Sequence, residues 1–100
     1  MVKFSVLYGH PKDPAAFEKY YFETHGPIAA TIQGVRKVEV SKAAGAPDGS
    51  APAYYRMADL YFDDVDHVKR VLETPEAKAT IADLPNFATG GFTMLISEVG

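Results

Sequence analysis

Apolar and polar residues alternate from Val2 to Tyr8. Val2, Phe4, Val6 and Tyr8 fall on one side, Lys3, Ser5 and Leu7 on the other, the two-residue period of a strand. Gly9-His10-Pro11 ends this strand, because proline cannot continue a central ladder. The period then changes. Phe17, Tyr20, Tyr21, Thr24, His25 and Ile28 recur at three- and four-residue spacing and mark one face of a helix. Asp13-Pro14 is its start signal: a side chain that accepts from the first-turn amides, then a residue suited to the first helical position. Pro27 has no amide hydrogen and is placed to clash with the carbonyl of Glu23, so the helix is expected to break or kink near His25. A second helical piece, from Pro27 to about Ile32, closes before Gly34.

Alternation returns from Val35 to Ser41, a second strand. The stretch 43–52 is rich in Ala, Gly, Pro, Asp and Ser and reads as a surface loop rather than the cover of a pocket mouth. Ala53 to Phe62 is a third strand, with Tyr55, Met57, Asp59 and Tyr61 opposite Tyr54, Arg56, Ala58, Leu60 and Phe62. Asp63 or Asp64 caps a helix whose stripe is Val65, Val68, Val71 and Leu72, leaving His67 off the stripe and exposed. Thr74-Pro75 repeats the Asp13-Pro14 device and opens a segment bearing Ala77, Ile81 and Leu84 that stops at Pro85. Gly90-Gly91 then turns the chain into a fourth strand, Phe92 to Val99.

The order is β-α-β-β-α-β with split helices. It predicts an α+β fold of the ferredoxin-like kind: a four-stranded antiparallel sheet with helices on one face, residues 1–100 forming a single domain. Strands one, three and four carry apolar side chains on both faces, and one helical layer covers only one face. A homodimer packed through the sheet face, closing into a barrel, is the expected remedy. Asp59 is expected to pair across that dimer with Lys3 or Arg36.

Composition narrows the classes. A net charge of −3 gives no basic footprint for nucleic acid or an anionic membrane. No apolar run approaches the length of a bilayer span, and the N-terminus lacks the layout of a signal peptide, so a soluble cytoplasmic protein is expected. The absence of cysteine removes thiolate nucleophiles and Cys-held metals. His10, His25 and His67 have no ligand spacing, and there is no glycine-rich nucleotide loop, so neither metal nor cofactor is expected.

The richest stretch is Tyr20-Tyr21-Phe22-Glu23-Thr24-His25, polar chemistry set against apolar surface. Two roles fit His25. It lies on the buried stripe, where an imidazole can serve as general base or acid near pH 7. It also lies where its N–H could satisfy the Glu23 carbonyl freed by Pro27. Asp83, in the last turn of its helix, opposes the dipole unless paired. It either orients His25 or, the reading favoured here, accepts from backbone amides of the turn at 85–87. Tyr20 and Tyr21 diverge by about 100° on a helix, so one at most points into the core. That inner phenol, taken as Tyr21, can donate to a substrate oxygen. Tyr8 is placed at a pocket rim, with Tyr20, Phe62 and Phe87 on the substrate wall.

Leu7-Tyr8, Pro11, Phe17, Tyr20-Tyr21, Thr24-His25, Pro27, Gly34 and Arg36 resemble the EthD family, as do Tyr61-Phe62, Pro75-Glu76, Asp83-Leu84, Asn86-Phe87 and Gly90-Gly91. Gly26 departs from the pattern, standing where relatives often carry a larger apolar residue. The family is named for a protein associated with ethyl tert-butyl ether degradation. The resemblance implies a dimeric α+β barrel, whose members include cofactor-free monooxygenases, lactone isomerases and polyketide cyclases. The expected function is therefore a cofactor-independent enzyme using acid/base chemistry on a small apolar oxygenated or aromatic compound, with His25, Asp83 and Tyr21 catalytic. A non-catalytic small-molecule-binding accessory protein is the alternative.

Overall fold

The computed structural model describes residues 1–100. The elements are β1 (Val2–Tyr8), α1 (Pro14–Tyr20), a π-helical turn (Tyr21–His25), α2 (Gly26–Ala29), β2 (Lys37–Lys42), β3 (Arg56–Phe62), α3 (Val65–Leu72), α4 (Pro75–Asp83), a 3₁₀ turn (Leu84–Asn86) and β4 (Phe92–Glu98). The sheet is antiparallel, in the order β2-β3-β1-β4. This is the expected ferredoxin-like α+β arrangement.

The two-residue period sorts β1 as expected. Val2, Phe4, Val6 and Tyr8 are buried beneath the helices, against Phe17, Tyr21, Val68, Val71 and Leu84. Register puts Phe62, Leu60, Ala58 and Arg56 of β3 on that same face. The opposite face is more polar than the alternation implied. Lys3 lies 3.8 Å from Asp59, Ser5 donates to Asp59, and Tyr61 donates to Glu39 at 2.6 Å. Asp59 is thus paired within its own chain, and Arg36 instead grips Asp63 through two nitrogens.

Both proline-led helices begin as the caps require. The Asp13 side chain accepts from the Ala16 amide, and Thr74 from that of Ala77. Asp64 caps α3. β2 starts at Lys37 and β3 at Arg56, later than the alternation predicted. Val35 is drawn into the core, and Tyr55 pairs irregularly, its amide to the Tyr8 carbonyl and its carbonyl to Ala43.

Two further expectations are corrected for physical reasons. The helix does not break near His25, but its regular α geometry gives way there to the π-helical turn Tyr21–His25. Tyr21, His25 and Gly26 keep right-handed helical angles, and the Gly26 amide reaches back five residues to the Tyr21 carbonyl. This widened turn takes in the proline without ending the helix. The helix closes at Ala29, well before Gly34, whose positive φ of 87° belongs to the connection into β2. His67 is buried, not exposed. Its Nδ1 accepts from the Asp63 amide at 3.0 Å, and its ring meets Phe62 edge-on at 5.1 Å.

At the end of β1 the chain crosses the entry to β4. The Gly9 amide donates to the Gly91 carbonyl at 2.9 Å. A Cβ on Gly90 would lie 2.2 Å from the His10 carbonyl oxygen, a backbone atom that cannot step aside alone. Gly90→Ala is therefore expected to destabilise the protein by about 1–3 kcal/mol. Thermal unfolding monitored by circular dichroism checks this, and an unchanged melting temperature would contradict it.

Candidate functional site

The inner stripe of α1 and the widened turn carries Phe17, Tyr21 and His25, all buried, while Thr24 points outward. Tyr21 and His25 rings stack at 5.8 Å with 19° between planes. The end of α4 faces them from the other side and supplies Asp83. His25 Nδ1 lies 2.9 Å from Asp83 Oδ2, with 5% of His25 and 7% of Asp83 exposed. A carboxylate only accepts, so Nδ1 carries a proton, and no hydrogen bond engages Nε2. The Glu23 carbonyl is not the partner of this imidazole; the widened turn removed that need.

The other carboxylate oxygen is equally engaged. Asp83 Oδ1 accepts from the Tyr20 hydroxyl at 2.6 Å and from Asn86 Nδ2 at 2.9 Å. The expected turn amides are replaced by these side chains. Burial alone would push the Asp83 carboxyl up. Hydrogen bonds from Tyr20, Asn86 and His25 outweigh it and hold the group below the usual 3.8. These donors also offset the unfavourable placement at a helix C-terminus.

The sign of that shift makes a prediction. A depressed carboxylate contributes stability that is complete above its unfolded value and is lost as pH falls through the lower folded value. Stability is expected to decline below about pH 3.8, and Asp83→Asn to flatten part of that decline. Asp63 and Glu39 shift in the same direction and keep the remainder. Urea melts across an acid pH series measure it; parallel curves for the two proteins would contradict it.

His25 borders a cavity of about 520 Å³ between the helices and the sheet. Of its 22 lining residues 19 are hydrophobic, so polar chemistry is confined to a few points. Tyr8, Tyr21 and Phe62 line it, Tyr8 from deep in the core rather than from the rim. Tyr8 is held well above the usual phenol value, first by burial and then by Tyr21. Tyr21 is raised by burial, with the Arg56 guanidinium opposing. Both are therefore neutral donors near pH 7. Val38 and Val40, on the edge strand β2, line it while largely exposed.

Two expected wall residues are elsewhere. Tyr20 and Phe87 do not line this cavity; they border a separate one of about 200 Å³ on the far side of Asp83. The reason is the helix rotation between adjacent positions: with Tyr21 facing the cavity, Tyr20 must turn away. Phe87 lies behind the imidazole, its ring 4.6 Å from that of His25. The 43–52 loop contributes nothing to either cavity and is tied to the β1–α1 turn by His10 Nε2 and the Pro52 carbonyl at 2.7 Å.

Sequence reasoning missed Arg56 and Asn86. Arg56 is buried, bonds Glu18 through Nε and a terminal nitrogen, and lies 5.2 Å from the Tyr21 ring centre. Its signal was available: a charge on the inward phase of β3, in step with Ala58 and Phe62. Asn86 had none, since three-residue spacing from Asp83 does not show where an amide points. No three His, Asp or Glu side chains converge as metal ligands, and no helix is long and apolar enough to cross a membrane.

A Rhodococcus erythropolis protein, an uncharacterized 11.0 kDa protein in the thcB–thcC intergenic region, is 36% identical over 98 residues, covering 98% of this chain and 94% of that one. The crystal structure of an ethyl tert-butyl ether (EthD) family protein from Bacillus halodurans superposes with a TM-score of 0.92 at 36% identity, covering 100% of this chain and 99% of that one. SnoaB, a cofactor-independent oxygenase from Streptomyces nogalater, has a TM-score of 0.66 at 16% identity over 98% of this chain and 91% of its own, a likeness of fold alone. The EthD domain model matches residues 10–91, a span that takes in both the helix bearing His25 and the turn bearing Asp83. On that match and these identities, the chain belongs to the EthD family.

Proposed function

We propose that this protein is a cofactor-independent enzyme that moves a proton on a small, largely apolar oxygenated or aromatic compound. One observation carries the reading: an imidazole fixed through Nδ1 by a buried carboxylate presents its ring to a mostly apolar cavity. In the reaction His25 Nε2 takes a proton from a carbon of the substrate. The electron pair left behind delocalises onto a substrate oxygen, which accepts a hydrogen bond from the Tyr21 or Tyr8 hydroxyl. The imidazolium formed is neutralised by Asp83 and returns its proton to another position of the same molecule. The apolar wall excludes water from the charged intermediate. SnoaB, named as a cofactor-independent oxygenase, is an instance of this fold working without a cofactor.

We also infer a homodimer joined through the open face of the sheet, where Leu7, Met57 and Leu95 lie among paired charges. A non-catalytic ligand-binding role is favoured by one feature, the scarcity of free polar groups: the Thr80 hydroxyl already donates to the Glu76 carbonyl. Native mass spectrometry of the purified protein reports the dimer and any retained ligand together. A monomer at micromolar concentration would overturn the dimer. Turnover of the retained ligand by the native protein but not by His25→Gln supports the enzyme; equal, unchanged ligand in both supports the binding role.

A further inference from the structure

Resting on the acid/base reading above, we propose that Tyr20 and Asn86 are positioning residues for His25. By filling one oxygen of Asp83 they leave the other to the imidazole, and so fix the ring with its proton on Nδ1 and Nε2 open to the cavity.

The geometry divides the labour cleanly. Oδ1 of Asp83 takes both side chains, Tyr20 at 2.6 Å and Asn86 at 2.9 Å, and Oδ2 takes only His25 at 2.9 Å. A carboxylate free to rotate could offer either oxygen; one held by two donors on one side cannot. Tyr20 is itself braced. Its ring stacks on Phe87 at 5.2 Å with 22° between planes, and Phe87 packs against His25. The hydroxyl therefore sets the carboxylate while Phe87 sets the ring plane.

Tyr20 does not act by touching a substrate in the large cavity, because it lies on the far side of Asp83, beside the smaller one. Nor does it act as a proton relay. Relay would require Asp83 to take up a proton, whereas its three donors hold it as an anion. An acceptor held as an anion near neutral pH orients its partners; it does not pass protons between them.

The test reads the imidazole directly. In protein carrying ¹⁵N-labelled histidine, His25 is identified by the signals lost in His25→Gln. The native protein should show neutral His25 as one tautomer, protonated at Nδ1. Tyr20→Phe, which removes only the hydroxyl, should give a mixed population with a substantial Nε2–H fraction. Asn86→Ala should move it the same way and serves as the second variant should Tyr20→Phe fold poorly. Turnover of any ligand processed by the native protein should fall about 10-fold in Tyr20→Phe, in kcat more than in KM. An unchanged single tautomer in a folded variant of either kind overturns the proposal. If His25→Gln retains full turnover, the enzymatic reading fails, while the tautomer result still stands or falls on its own.

Discussion

His25→Gln is expected to lower turnover by a factor of about 10²–10⁴, the range ascribed to a positioned general acid or base. Ligand affinity should change little, because most of the cavity wall is hydrocarbon and aromatic surface that this substitution leaves in place. Glutamine is the informative replacement. Asp83 keeps Tyr20 and Asn86 as donors, so the buried carboxylate is not left without partners. The glutamine amide cannot accept and release a proton near pH 7. Loss of turnover with retained melting temperature and retained affinity isolates the proton-transfer role. Loss of folding would instead show that the ring serves mainly to hold the end of α4 to the widened turn.

Phe17→Ala is expected to be the most damaging single truncation for stability, costing about 3–5 kcal/mol. Phe17 is 3% exposed and its ring lies within 5.5 Å of the rings of Tyr8, Tyr21, Tyr55 and Phe87. Truncation loses the transfer energy of the ring and leaves a void bounded by four aromatics that are themselves held elsewhere. Tyr21 stacks on His25 and Phe87 on Tyr20, so neither can collapse inward without disturbing the site. A domain of this size is typically stable by about 5–15 kcal/mol, so the loss is a large fraction of the whole. Urea unfolding of the variant measures it. A change below about 1 kcal/mol would show that the cluster repacks and that the site does not depend on it.

Much of the fold was legible because short-range rules decide it. The period of two from Val2 to Tyr8 fixed which face of β1 meets the helices, and Asp13-Pro14 and Thr74-Pro75 fixed two helix starts. What was not legible depended on contacts made after folding. Pro27 is a helix breaker only against the ordinary hydrogen-bond ladder, and a turn that reaches back five residues removes the conflict. His67 lay off the valine stripe, yet a free backbone amide at Asp63 drew its ring inward. Arg56 was visible as an inward charge, but Glu18, its partner 38 residues away, was not.

The candidate site followed the same division. The stripe showed that His25 faces inward, and the helix dipole showed that Asp83 needs a partner. Neither could show that they are each other's, across 58 residues. Nor could adjacency decide between Tyr20 and Tyr21. Only the packed structure shows that Tyr21 faces the cavity and that Tyr20 faces Asp83 from behind.

The central claim is that His25 takes a proton from a compound seated in the cavity, and solvent exchange tests it most directly. A ligand shown by native mass spectrometry to occupy the protein is incubated in deuterated water with the native protein and with His25→Gln. Proton transfer to Nε2 and back carries solvent deuterium onto the ligand even where no net product forms. The account predicts a one-unit mass increase that is at least about 100-fold faster with the native protein than with the variant, at matched occupancy. Equal rates of incorporation with both proteins, or none with either, would contradict it.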